Sequence, residues 1–238
     1  MKKNTILGVV GAAAMLACLS AYATPTDQVR YSIDGGVTWT TIADNSGSDT
    51  QPADEAINVN IAGSSFVIHI SSSAFESGTL SKPAMDLGVS GSTTGTGTLN
   101  LIVEYTDVGF TPRPTGSFLT TFFQNGTVSA TEWTVIGNGS TPFSGADINP
   151  VTHAPTGPAV VGPIGPLVSG GVTSGSSSAG ALGETDPYVI TLVERYTGSG
   201  TISSDASLTV PDGGNTLMLL GSALSVLGLG VFRKSRKA

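Results

Sequence analysis

Only 11% of the 238 residues are charged, and the formal net charge is −7. Six of the ten Lys and Arg sit at the ends (Lys2, Lys3, Arg233, Lys234, Arg236 and Lys237), which leaves residues 24–210 with four basic residues against 16 acids. A body that acidic, without a basic stripe, excludes nucleic-acid binding, and 32 Gly with abundant Ser and Thr favour strands and turns over helices.

The first predicted element is an export signal over residues 1–23. Lys2 and Lys3 form its basic start, residues 6–19 its apolar helix, and Ala21-Tyr22-Ala23 a small-x-small cleavage site before Thr24. Lipoprotein processing at Cys18 is the competing reading. Cys18 is the sole cysteine, so cleavage after Ala23 leaves neither a disulfide nor a thiolate nucleophile.

From residue 24 to 209 the hydrophobic pattern alternates with period two, the mark of half-buried strands. Residues 29–33 and 37–43 flank Asp34-Gly35-Gly36, a hairpin turn signal. Ile57, Val59 and Ile61 share one face, and beyond Ala62-Gly63-Ser64 so do Phe66, Ile68 and Ile70. Leu99, Leu101, Val103 and Tyr105 alternate in the same way. Residues 118–123 and 127–136 flank Asn125-Gly126, which predicts a second hairpin turn. Tyr188, Ile190 and Leu192 mark a late strand, and Ala206, Leu208 and Val210 a last one. About eight or nine short strands of this kind predict an all-β chain, an antiparallel β-sandwich. Residues 137–187 are dense in Gly, Pro and Ser and show no periodicity; they read as a surface excursion between strands.

Catalytic chemistry finds little footing in this inventory. There are two histidines, His69 and His153, and no zinc, phosphate-loop, dinucleotide or nucleophile-elbow motif. No catalytic residue, metal ligand or cofactor is therefore assigned. Alternation turns His69 away from the Phe66, Ile68 and Ile70 face, and His153 has no obvious partner. Glu104, Asp107, Glu132 and Glu194 lie in or near strands, where two of them could face each other as a glycosidase pair does. Residues 44–49, Asp-Asn-Ser-Gly-Ser-Asp, offer oxygen ligands of the kind calcium takes, although a plain hydrogen-bonded turn explains them as well. Trp39, Trp133 and Tyr105 are the candidates for stacking on sugar rings. Ser32-Ile33-Asp34-Gly35-Gly36-Val37-Thr38-Trp39 resembles the Asp-box hairpin of sialidases and related propellers, in which the box is structural. It occurs once, so Asp34 reads as a turn-forming residue and not as part of a propeller.

The last element is a charge-free stretch, residues 216–232, predicted as a transmembrane helix. Residues 233–238 follow it, and their Arg233, Lys234, Arg236 and Lys237 form a stop-transfer cluster that stays cytoplasmic by the positive-inside rule. Ahead of it stand Val210, Pro211, Asp212, Gly213 and Gly214. The order of motif, apolar helix and basic end over residues 210–238 resembles the PEP-CTERM class of sorting signals, closest to its VPDSG variant, with Gly214 in the place of Ser. That resemblance implies an exosortase, a membrane cysteine protease, as partner, with the motif as its recognition element. It further implies transient residence in the inner membrane of a Gram-negative bacterium, then transfer to the cell surface or an exopolysaccharide-rich matrix. The expected role is structural or adhesive and non-enzymatic. The alternatives are a glycan- or calcium-binding surface module and a secreted glycoside hydrolase.

Overall fold

The computed structural model describes residues 27–210, except 52, 54, 64, 76–82, 95–96, 111–116, 158–159, 168–170 and 180–185. The predicted signal at 1–23, with Ala21 and Ala23, lies outside the described residues. So do Pro211, Asp212, Gly213 and Gly214 of the sorting motif, the helix at 216–232 and the basic cluster. Among the described residues no helix is long and apolar enough to cross a membrane.

The described residues form twelve strands: β1 (Gln28–Ser32), β2 (Thr40–Ala43), β3 (Ala56–Ala62), β4 (Phe66–Phe75), β5 (Ala84–Thr93), β6 (Leu99–Phe110), β7 (Phe118–Gly126), β8 (Ser129–Asn138), β9 (Val160–Leu167), β10 (Gly171–Ala179), β11 (Tyr188–Gly198) and β12 (Thr201–Thr209). They pair antiparallel into two six-stranded sheets, sheet A in the order β2-β1-β6-β11-β8-β9 and sheet B in the order β10-β7-β12-β5-β4-β3. The expected all-β sandwich is therefore present, with more strands than the eight or nine anticipated.

The topology is more specific than a generic sandwich. Strands β5 to β12 alone give β5-β12-β7-β10 facing β6-β11-β8-β9, the strand order of an eight-stranded jelly roll built from two Greek keys. The hairpins β1–β2 and β3–β4 then extend sheet A beyond β6 and sheet B beyond β5.

Two of the eight jelly-roll strands, β9 and β10, come from the segment expected to be an excursion. Pro163 and Pro166 interrupt β9, and its pairing with β8 shifts register twice. Proline is tolerated in a sheet on an edge strand, and β9 is the edge of sheet A. β10, Ser- and Gly-rich, is the edge of sheet B. The two edges close on each other: a Cβ at Gly175 of β10 would stand 2.4 Å from Ile164 Cγ2 of β9.

The Asn125-Gly126 signal also resolves differently from its prediction. β7 belongs to sheet B and β8 to sheet A, so the chain crosses between sheets at residues 127–128 instead of forming a hairpin. A type I′ hairpin turn needs positive φ at both central residues, and neither Asn125 nor Gly126 has it. The crossing is held by the Thr127 and Val128 N–H groups, which both donate to the Thr201 carbonyl where β12 begins.

The main core fills the space between the sheets, where the alternate residues of each strand interdigitate. A second, smaller core lies on the outer face of sheet A. There residues 139–157 fold over Ile102, Trp133, Val135 and Val193 and bring Phe143 and Ala146 down onto them. Among the described residues, none covers the outer face of sheet B in this way.

Strand direction sorts the connections. Gln28 pairs with Thr106, Leu208 with Met85 and Tyr188 with Phe110, so residue 27, residues 44–55 and Val210 all lie at one end of the sandwich. The Asp-box loop at 33–39 lies at the other end, where the Gly35 N–H donates to the Asn100 carbonyl.

Candidate functional site

The Asp-box sequence folds as its residue types dictate. The Ser32 hydroxyl donates to Asp34 Oδ1 at 2.7 Å and accepts the Gly36 N–H at 2.7 Å. Asp34 Oδ1 further accepts the N–H groups of Val37 and Thr38, and Oδ2 accepts the Thr38 hydroxyl at 2.6 Å. These donors, the Thr38 hydroxyl first, hold the Asp34 carboxyl well below the usual carboxylate range. Gly35 and Gly36 take φ of 76° and 97°, where side chains are strained. His153 Nδ1 meets the Gly35 carbonyl at 2.7 Å, which supplies the partner that the sequence did not reveal. Asp34 is thus a turn-forming residue.

Trp39 closes the box with its indole N–H on the Gly36 carbonyl, and its ring lies 4.5 Å from the Arg30 guanidinium. The Phe143 ring also lies 4.3 Å from that guanidinium. Arg30 Nε in turn donates to Glu104 Oε2 at 2.6 Å. Burial nonetheless raises Glu104 to about 7, against the pull of Arg30. Glu104 is the anionic half of a structural ion pair on the outer face of sheet A.

Of the four carboxylates singled out in the sequence, the structure brings two together. Glu132 and Glu194 stand directly opposite each other on β8 and β11, and both side chains point between the sheets. Thr134 donates to Glu132 and itself meets Thr120 of the facing sheet at 2.7 Å. Tyr196 and Ser204 both donate to Glu194. Burial raises Glu132 to about 8 and holds Glu194 well above its ordinary range, with the Glu132 charge adding to the effect on Glu194. Asp107 sits elsewhere, beside Asp27 at the end of the sandwich. All four carboxylates are fully buried, whereas a glycosidase pair must admit both water and a sugar between its members.

The expected sugar platforms are corrected in the same way. Tyr105 lies wholly within the main core, and Trp133 lies under the 139–157 segment. Trp39 is half-buried against Arg30. Tyr105 and Trp133 therefore offer no open ring face, and Trp39 is the one candidate of the three that is not buried.

What the sequence did not indicate is the outer face of sheet B. Alternation places Thr121, Phe123, Asp86, Ser90, Asp205 and Ser207 on it, with His69 and Asn60 hydrogen-bonded at 3.0 Å toward its β3 edge. As expected, His69 points away from the core. Phe123 is 39% exposed. Asp86 and Asp205 share a hydrogen bond across β5 and β12. Partial burial, then the Asp205 charge, raises Asp86 to about 6. The two acids meet only because β12 returns to pair with β5, so no sequence spacing announces them.

At the opposite end from the box, residues 44–49 form the hydrogen-bonded turn that was the simpler expectation. Asp49 accepts the N–H groups of Asn45, Gln51 and Asn58. Among the described residues no group of three or more His, Cys, Asp or Glu side chains is already arranged to hold a metal ion.

Comparison with family models and with curated proteins finds no match. Among solved structures, the chain is similar to that of TmCBM61 in complex with β-1,4-galactotriose, at 9% identity and a TM-score of 0.28, over 60% of this chain and 88% of that one. At that score the likeness transfers no ligand to this chain.

Proposed function

We propose that the chain is an exported, non-enzymatic surface module, a jelly roll delivered to the cell surface or matrix by its PEP-CTERM-like tail. The observation that carries this reading is the way the tail joins the domain. β12, a central strand of sheet B, ends at Thr209, and Val210, the first residue of the sorting motif, follows without a linker. Val210 still packs on the main core, and Pro211 cannot extend a ladder. The strand must therefore stop where the motif begins. Residue 27, close after the predicted cleavage site, lies at the same end. In this arrangement the sandwich stands on the inner membrane with the Asp-box pointing away until exosortase acts. The outer face of sheet B, which no described segment covers and which carries hydroxyls, amides and the exposed Phe123 ring, is the surface offered to exopolysaccharide.

The test is mass spectrometry of the mature C-terminus in fractionated cells with and without exosortase. Processed protein lacking the helix and basic cluster is expected at the surface of wild-type cells, and full-length tail in the membrane of the mutant. A surface form that ends at Ala238 in wild-type cells overturns sorting by cleavage. Retention of the mature protein on isolated exopolysaccharide, lowered by Phe123→Ser, checks the face.

A further inference from the structure

We infer that the end of the sandwich carrying the Asp-box is a docking tip for an uncharged phospholipid surface, entered by Ile33, Val37 and Val151. Among the described residues five large apolar side chains are exposed, and three of them stand here: Val151 at 83%, Val37 at 77% and Ile33 at 48%. They come from two loops that the fold joins. His153 Nδ1 lies 2.7 Å from the Gly35 carbonyl, and a Cβ on Gly36 would stand 3.4 Å from Ile148 Cγ2. Val37 and Val151 each sit two residues from the Gly35–His153 contact, so the apolar side chains of both loops share one tip.

Entry into lipid demands that backbone polar groups be answered from within the protein, because hydrocarbon offers them no partner. Both loops supply acceptors for their own N–H groups. In the box, the Asn100 carbonyl takes the Gly35 N–H, Ser32 takes that of Gly36, and Asp34 takes those of Val37 and Thr38. In the second loop, Asn149 Oδ1 accepts the Val151 and Thr152 N–H groups at 2.8 and 3.0 Å. The Asn149 carbonyl accepts that of His153 at 2.7 Å. Apolar side chains held outward on such a backbone gain from burial without leaving those donors stranded.

Area and charge select the occupant. Three aliphatic side chains cannot supply the roughly 800 Å² per partner that a stable protein pair buries, so a second copy is a poor match. A lipid surface sets no such minimum, since attachment scales with whatever apolar area enters it. Asp34 and Arg195, whose Nη1 reaches the Thr152 carbonyl at 3.5 Å, set opposite charges beside the patch. Residues 24–210 as a whole carry 16 acids against four bases. An anionic membrane repels such a body, and zwitterionic lipid does not. The attachment holds whether or not the tail is processed.

The experiment uses the full chain with Cys18→Ser and Val151→Cys, the new thiol carrying an environment-sensitive fluorophore, and phosphatidylcholine vesicles. Vesicles should blue-shift this label, while the same label at position 203, exposed on the outer face of sheet B, stays unchanged. Each label reports its own site, so insertion of the tail cannot mimic the result. Val37→Ser should raise the lipid concentration needed for half the shift about tenfold. Its melting midpoint should stay that of the parent, because the side chain it replaces is exposed. A silent label at position 151 overturns the proposal, as does a response that Val37→Ser leaves intact. A shift that appears without vesicles and grows with protein concentration overturns it in favour of tip-to-tip pairing of two copies.

Discussion

Asp34 shows how much one carboxylate can organise without being buried. It accepts two backbone N–H groups and one hydroxyl, and the Ser32 hydroxyl besides. Asp34→Ala removes all of these acceptors at once and should loosen residues 33–38, seen as faster protease nicking there and a lower melting midpoint. Asp34→Asn keeps the Oδ1 contacts to Val37 and Thr38 but presents N–H₂ to the Thr38 hydroxyl, so its effect should fall between wild type and Ala. Because the folded carboxyl is held below its ordinary 3.8, its contribution is present above that pH and is lost as the pH falls further. The identity of this residue's role was legible in the sequence, since Ser, Asp, Gly and Trp at those spacings have one local solution. The docking of the neighbouring Gly35 on His153 and Asn100 was not, because those partners come from segments that only the fold brings near.

Among the elements, the 139–157 segment covers sheet A while no described segment covers sheet B, and Phe143 is the side chain that seals the cover. Phe143→Ala should cost about 3 kcal/mol in urea unfolding. It should also red-shift and expose Trp133 fluorescence to acrylamide, because Trp133 lies beneath that cover. Loss of stability with Trp133 still shielded would show that the segment is held by its backbone bonds instead. Strands with clean alternation, such as β3, β6 and β11, were readable because one face of each is buried in the main core. β9 and β10 were not. Their Pro, Gly and Ser content reads as loop, and edge position, which makes that composition acceptable in a sheet, is a property of the topology. The Asn125-Gly126 turn misled for a related reason: a local turn preference yields when the next strand belongs to the opposite sheet.

At the scale of the whole molecule, Asp27, Glu104, Asp107, Glu132 and Glu194 lie where water does not reach, and these buried acids set the response of the fold to pH. Glu104 is raised to about 7, Glu132 to about 8 and Asp107 to about 9, in each case chiefly by burial. Groups whose folded values exceed the unfolded ones stabilise the fold fully at low pH and lose that contribution as pH rises through the folded values. Stability should therefore fall by several kcal/mol between about pH 5 and pH 9. Glu132→Gln, which keeps an acceptor for Thr134, should flatten part of that slope and exceed wild type at pH 9. Denaturant midpoints at the two pH values decide it; a wild type equally stable at both would mean that these carboxylates ionise freely. The sequence disclosed which carboxylates lay in strands, but not that Glu132 and Glu194 would be register partners, since that depends on how β8 and β11 align. The placement of residue 27 and Val210 at one end, with the box at the other, has a mechanical corollary. A pull on the box against a tail held at Val210 runs along the strands. The bonds that join β12 to β5 and β7 lie across that direction. They bear the load in shear, many together, instead of opening one after another like a zip.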